Sequence, residues 1–140
     1  MSRILIIDDE PSIRQIMTQV LAAHGHETVA AADGVEGAAL LRTHSVDLVI
    51  TDLIMPGAEG IETIIGMRRA NPGLPIIAMS GTIDGRGYLR MARLLGARRT
   101  LQKPFTTQGL LKAINGVLNG VGENFESPGC SAVLADPVDS

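Results

Sequence analysis

Tryptophan is absent, and Tyr88, Phe105 and Phe125 are the only aromatic residues. Any core must therefore be aliphatic, drawn from Ile, Leu, Val, Met and Ala. The single cysteine, Cys130, has no partner within the chain. An internal disulfide framework and a multi-cysteine metal site are both excluded. Long apolar runs are also missing. The run Ile4-Leu5-Ile6-Ile7 is too short for a signal-peptide core or a membrane span, so no membrane insertion and a reducing, cytoplasmic setting are expected. Charge of one sign is not in excess: 12 Lys and Arg stand against 15 Asp and Glu, for a net charge of −3. Direct nucleic-acid binding, which needs a basic surplus, is not expected.

What is present is apolar sequence in alternating patterns. Apolar residues make up 45% of 140 residues, enough for one domain with a sizeable core. Ile4 to Ile7 reads as a buried strand ending in Asp8-Asp9. Pro11 suits the first turn of a helix, and Ile13, Ile16, Met17, Val20 and Leu21 follow at helical spacing up to Gly25. Glu27 to Ala32 reads as a second strand, and Asp33-Gly34 turns into a helix through Ala38, Ala39 and Leu41. Leu48 to Thr51 is a third strand, running into Asp52. A helix is expected from about Ile61 to Arg69, broken by Asn71-Pro72-Gly73. Leu74 to Met79 is strand four, ending at Ser80-Gly81. A fourth helix is expected from about Gly87 to Leu95, and a short fifth strand over Thr100 to Gln102, ending at Lys103-Pro104. Thr106 can cap a last helix carrying Leu110, Leu111, Ile114, Val117 and Leu118.

Strands alternating with helices predict an α/β fold: a doubly wound, five-stranded parallel sheet of flavodoxin-like order 2-1-3-4-5, with helices on both faces. The pattern stops near residue 120. Residues 1–120 are expected to form the domain and 121–140, rich in Gly, Pro, Ser and acidic residues, a flexible tail.

In such a sheet, ligands bind beyond the carboxyl ends of the strands where the strand order reverses, here between strands one and three. Asp8-Asp9 and Asp52 meet at that point, and strands four and five bring Ser80 and Lys103 to the same rim. Three carboxylates repel one another unless a cation compensates, and a hard divalent ion with oxygen ligands suits them. Mg²⁺ fits, because it uses few carboxylates and keeps waters that a phosphate can replace. Lys103 can hold a phosphoryl oxygen and the Ser80 hydroxyl can donate to another. A carboxylate nucleophile, a metal, a cation and a hydroxyl donor make a set suited to phosphoryl transfer.

These residues carry a resemblance. Asp8-Asp9, the segment Asp47-Leu48-Val49-Ile50-Thr51-Asp52-Leu53-Ile54-Met55-Pro56, Ser80-Gly81, Gly96-Ala97 and Lys103-Pro104-Phe105 resemble the receiver domains of two-component response regulators, of the single-domain chemotaxis kind. No one of the motifs is specific alone; the five in order, each ending its own strand or helix, are. The resemblance implies that Asp52 is the phosphoacceptor, that Asp9 binds Mg²⁺ directly with Asp8 acting largely through water, and that the Ile54 backbone carbonyl is a further metal ligand. It implies that Ser80 closes on the phosphoryl group, that Lys103 is its counter-ion, and that the Lys103-Pro104 bond is cis. The implied donor is a phosphohistidine on a sensor histidine kinase or a histidine phosphotransfer protein. The implied output is a downstream protein that binds at the fourth helix, fifth strand and fifth helix, or onward relay of the phosphoryl group. Such a chain is a signalling switch that catalyses its own Asp phosphorylation and dephosphorylation, not an enzyme with a separate substrate. Where receivers commonly carry Tyr or Phe, three residues before this lysine, the chain has Thr100, which cannot fill an aromatic-sized pocket.

Other readings stand beside this one. The same fold can serve as a phosphorylation-independent interaction module, a pseudo-receiver. A hydrolase with an aspartyl-phosphate intermediate usually carries an Asp-x-Asp pair after strand one, whereas here the pair is adjacent. His24, His26 and His44 fall at helix or strand ends away from the rim and are expected to face solvent. Arg86, Arg90 and Arg93 share one stripe of the fourth helix, either a solvated face or a docking face for an acidic partner.

Overall fold

The computed structural model describes residues 2–53, 59–80 and 96–119. Five strands, β1 (Arg3–Ile7), β2 (Glu27–Ala31), β3 (Leu48–Asp52), β4 (Ile76–Ser80) and β5 (Arg99–Gln102), form one parallel sheet in the order β2-β1-β3-β4-β5. Four helices accompany them among the described residues: α1 (Pro11–Ala23), α2 (Gly34–Thr43), α3 (Glu59–Ala70) and α4 (Thr107–Leu118). α4 is the fifth helix expected from the sequence. The expected helix near residues 87–95, its arginine stripe, the Ile54 carbonyl and the tail 121–140 lie outside the described residues.

Among the described residues α1, α2 and α3 connect β1 to β2, β2 to β3 and β3 to β4, the crossovers a parallel sheet needs, and helices cover both of its faces. Alternate residues of each strand point to opposite faces. Ile4, Ile6, Leu48, Ile50, Ile77, Met79 and Leu101 pack with Met17 and Leu21 of α1 and with Leu110, Ala113, Ile114 and Val117 of α4. Leu5, Ile7, Val49, Ile76 and Ala78 pack on the other face with Ile64 and Met67 of α3, and Leu40 and Leu41 of α2 lie against them. Every residue of β3 and β4 is buried, so these strands carry continuous apolar runs rather than alternation. Phe105, the one aromatic among the described residues, is only a flank of the first core.

Local chemistry sets the ends of the helices. Pro11 opens α1, and the Glu10 carbonyl accepts from the amides of Ile13 and Arg14 at 3.1 Å each. Gly25 ends the turn after α1 at φ 87°, a left-handed conformation that glycine adopts without steric cost. A reciprocal cap opens α2: Asp33 Oδ1 accepts from the Glu36 amide at 2.8 Å, and Glu36 Oε1 accepts from the Ala32 amide at 2.7 Å. Thr106 Oγ1 accepts from the Gly109 amide at 2.9 Å and caps α4 as expected. The strand bounds differ slightly from expectation. β4 begins at Ile76 rather than Leu74, because Pro75 has no amide to give to a ladder.

Candidate functional site

The register brings the acidic residues together. Ile7 pairs with Thr51, so Asp8 and Asp52 are the next residues on adjacent central strands. Asp52 pairs with Met79, which places Ser80 one step further along β4, and Ser80 pairs with Gln102, the residue before Lys103. The Lys103 amide donates to the Ser80 carbonyl at 2.8 Å, extending that pairing to the rim. The Lys103-Pro104 peptide bond is cis.

Asp8, Asp9 and Asp52 each offer a carboxylate oxygen, and these atoms lie within 4.8 Å of one another. Their surroundings differ. Asp8 is fully buried, Asp52 is 4% exposed and Asp9 is exposed. Both oxygens of Asp8 are engaged: Oδ1 accepts from the Glu10 amide at 2.9 Å and Oδ2 from Lys103 Nζ at 2.7 Å. Lys103 Nζ also donates to Asp52 Oδ2 at 3.2 Å. Burial alone would lower the Lys103 pKa. The Asp8 hydrogen bond and the charges of Asp52 and Asp8 outweigh it and hold the ammonium above the ordinary lysine range. The Ser80 hydroxyl is buried, and among the described residues its Oγ has no hydrogen-bond partner. An unsatisfied buried hydroxyl is costly unless a ligand completes it.

Among the described residues one ammonium faces three carboxylates, an excess of negative charge. The donors are all hard oxygens, one of them exposed at the mouth, and this set fits a divalent cation such as Mg²⁺. The sequence-predicted residues Asp8, Asp9, Asp52, Ser80 and Lys103 thus meet at one rim. Ile54 lies outside the described residues.

Sequence reasoning missed Arg14. Its Nη1 donates to the Asp8 backbone carbonyl at 2.6 Å. A signal was available: a cation near the start of a helix opposes the helix dipole, and the first turn of α1 has no acidic residue to balance it. Such a cation calls for a partner elsewhere. Among the histidines, His24 and His44 are exposed as expected, but His26 is half-buried at the opposite end of the sheet. Its Nδ1 is buried with no partner among the described residues, and burial, with His24 nearby, lowers its pKa.

A five-stranded parallel sheet with an acidic cluster, a lysine and a hydroxyl at its switch point defines a class, and the comparisons agree with it. The model of the response regulator receiver domain matches residues 4–115, and the chain belongs to that family, the phosphorylation-dependent signalling domains of two-component systems. Among individual proteins, it is 36% identical over 122 residues to protein PilH of Pseudomonas aeruginosa, covering 86% of this chain and all of PilH. It is 32% identical to the DNA-binding response regulator MtrA of Mycolicibacterium smegmatis, of which it spans 48%. The chemotaxis protein CheY4 of Vibrio cholerae superposes with a TM-score of 0.77 at 31% identity, over 84% of this chain and 98% of CheY4. TrrA of Thermotoga maritima, solved in complex with Mg²⁺ and BeF, superposes at 0.75 with 30% identity, over 84% of this chain and 99% of TrrA. Among the described residues no helix is long and apolar enough to cross a membrane.

Proposed function

We propose that Asp52 accepts a phosphoryl group from a phosphohistidine on a sensor kinase or phosphotransfer protein, and that this modification switches a protein-binding surface of a cytoplasmic domain spanning residues 1–120. The observation that carries the reading is the meeting of Asp8, Asp9, Asp52, Ser80 and Lys103 at the strand-order switch of a receiver-family sheet.

A carboxylate oxygen of Asp52 attacks phosphorus in line; the P–N bond breaks and the imidazole leaves with the bonding pair, taking up a proton. Asp9, exposed at the mouth, would hold Mg²⁺ directly, and the Ile54 carbonyl would add a ligand. Asp8, whose two oxygens already accept hydrogen bonds, would reach the ion through water. Bound Mg²⁺ supplies charge neutralisation at the phosphoryl oxygens. Lys103 needs only a small shift from Asp52 Oδ2 to pair with a new phosphoryl oxygen. Ser80 Oγ, buried without a partner among the described residues, would donate to another. The added charge biases the domain between two states, read by a downstream protein at the helix expected near residues 87–95, β5 and α4, or passed onward by relay.

Acetyl phosphate with Mg²⁺ should add one phosphoryl group, read as an intact-mass shift, and Asp52→Asn should abolish it. A shift surviving in that variant would move the acceptor elsewhere; no shift in the parent protein would favour the pseudo-receiver. Asp9→Ala should bind Mg²⁺ about tenfold or more weakly by titration, and unchanged affinity would remove Asp9 from the metal site.

A further inference from the structure

β1 ends its pairing at Ile7, so the Asp8 carbonyl lies past the last rung of the ladder and lacks a strand partner there. A buried carbonyl needs a donor. Arg14 provides it by reaching back from the start of α1, Nη1 to Asp8 O, at 2.6 Å. The bond is charge-assisted and therefore among the stronger kinds. It acts at a sensitive point. The peptide plane that carries this oxygen also carries the Asp9 amide, and the plane is rigid. Fixing the oxygen fixes the direction in which the chain leaves Asp8, and with it the origin of the Asp9 side chain.

The two neighbouring carboxylates are held very differently. The Asp8 amide donates to the Ala31 carbonyl at 3.1 Å, and both carboxylate oxygens of Asp8 are bonded. The exposed Asp9 carboxylate has no hydrogen bond among the described residues. Its placement therefore depends on the backbone. We propose that Arg14 is the positioning residue of the metal site, setting the Asp8–Asp9 peptide so that the Asp9 carboxylate faces the rim before any ion arrives. This rests on the functional reading above. Arg14 touches neither the ion nor the phosphoryl group; it lowers the reorganisation that binding would otherwise require.

The test uses the full chain and three proteins: the parent, Arg14→Met, which keeps the length of the side chain without a donor, and Arg14→Lys, which restores one donor. Mg²⁺ titration should show affinity falling about tenfold in Arg14→Met and largely recovering in Arg14→Lys. The rate of labelling by acetyl phosphate at low Mg²⁺ should fall in parallel, and saturating Mg²⁺ should restore it. In metal-free buffer, hydrogen exchange at the Glu10 amide, bonded to Asp8 Oδ1, should quicken in Arg14→Met while α4 amides keep their protection. That last readout separates a local effect from loss of the fold. Equal Mg²⁺ affinity and labelling in the parent and Arg14→Met would overturn the assignment. So would a defect confined to transfer from a phosphohistidine protein, which would make Arg14 a docking residue. A parent protein that takes up neither Mg²⁺ nor a phosphoryl group would overturn the functional reading, and this assignment with it.

Discussion

Lys103 joins two carboxylates that would otherwise repel each other in a buried setting, one of them wholly inaccessible to water. Removing its charge takes away a cation that offsets this repulsion, and breaking a buried pair from one side costs about 3–5 kcal/mol. Lys103→Met should therefore lower stability by about 3 kcal/mol, near the lower end of that range, in urea unfolding without Mg²⁺. Added Mg²⁺ should stabilise this variant more than the parent protein, since the ion takes over the missing charge. The pH dependence has a definite sign. The folded-state pKa of Lys103 is raised, so its contribution is complete below the unfolded lysine value, about 10.4, and is lost as pH climbs through the folded one. The gap in stability between parent and Lys103→Met should hold near neutrality and narrow only at strongly alkaline pH. A gap that shrank between pH 5 and 8 would assign the effect to another group. At this scale the sequence was partly legible. Asp8, Asp9, Asp52, Ser80 and Lys103 could be foreseen at one rim because each lies at the end of a strand, and strand ends in a parallel sheet point the same way. What could not be read was the unequal treatment of the two adjacent aspartates, one buried with both oxygens bonded and one open to solvent. That depends on where the chain turns after Ile7, and on a guanidinium six residues further on.

The helices owe their placement to contacts with little tolerance. A Cβ on Gly37 of α2 would lie 2.5 Å from Ile7 Cδ1 and 3.0 Å from its Cγ1, and Ile7 is fully buried in β1. Alanine there gains about 1 kcal/mol of helix propensity. Overpacking a filled core costs about 1–3 kcal/mol. Gly37→Ala should therefore be neutral to destabilising by up to about 2 kcal/mol in thermal or urea unfolding, and a clear gain would show that α2 can lift away from β1. Thr106→Ala removes the cap of α4 and should cost about 1 kcal/mol, with Thr106→Ser restoring most of it. Element identities were legible because the buried strands are short and apolar while α1 and α4 repeat their apolar residues at helical spacing. Ends were less legible. α3 starts at Glu59, before the expected Ile61: Gly60, which directly precedes the apolar stripe, lies inside the helix instead of marking its start. A further tie was invisible in the sequence: Arg68 donates to the carbonyls of Pro72 at 2.6 Å, Leu74 at 2.8 Å and Gly96 at 2.6 Å. It fastens the end of α3 to the turn before β5, where Gly96 takes a φ of 117°.

Across the whole molecule, two aliphatic cores sandwich the sheet, and the absence of large rings is met by many small branched side chains. Thr100 illustrates this: it is 6% exposed in β5 and pairs with Ala78 of β4. The strand order was legible from the alternation of elements and the handedness of their connections. The sheet closes through distant partners, and the bond between Lys103 and Asp8 spans 95 positions of sequence. Long-range pairings of this kind form late, because the chain entropy lost in closing them precedes the reward. During synthesis β1 and β3 leave the ribosome well before β5, so the paired acids exist for a time without their ammonium. On the proposed reading, a chain that stalls, misthreads or loses its last strand keeps Asp52, the proposed acceptor, yet lacks Lys103, which would steady a transferred group. Competence to receive a phosphoryl group would then arrive only with complete folding, and an unfinished molecule would stay silent instead of reporting falsely.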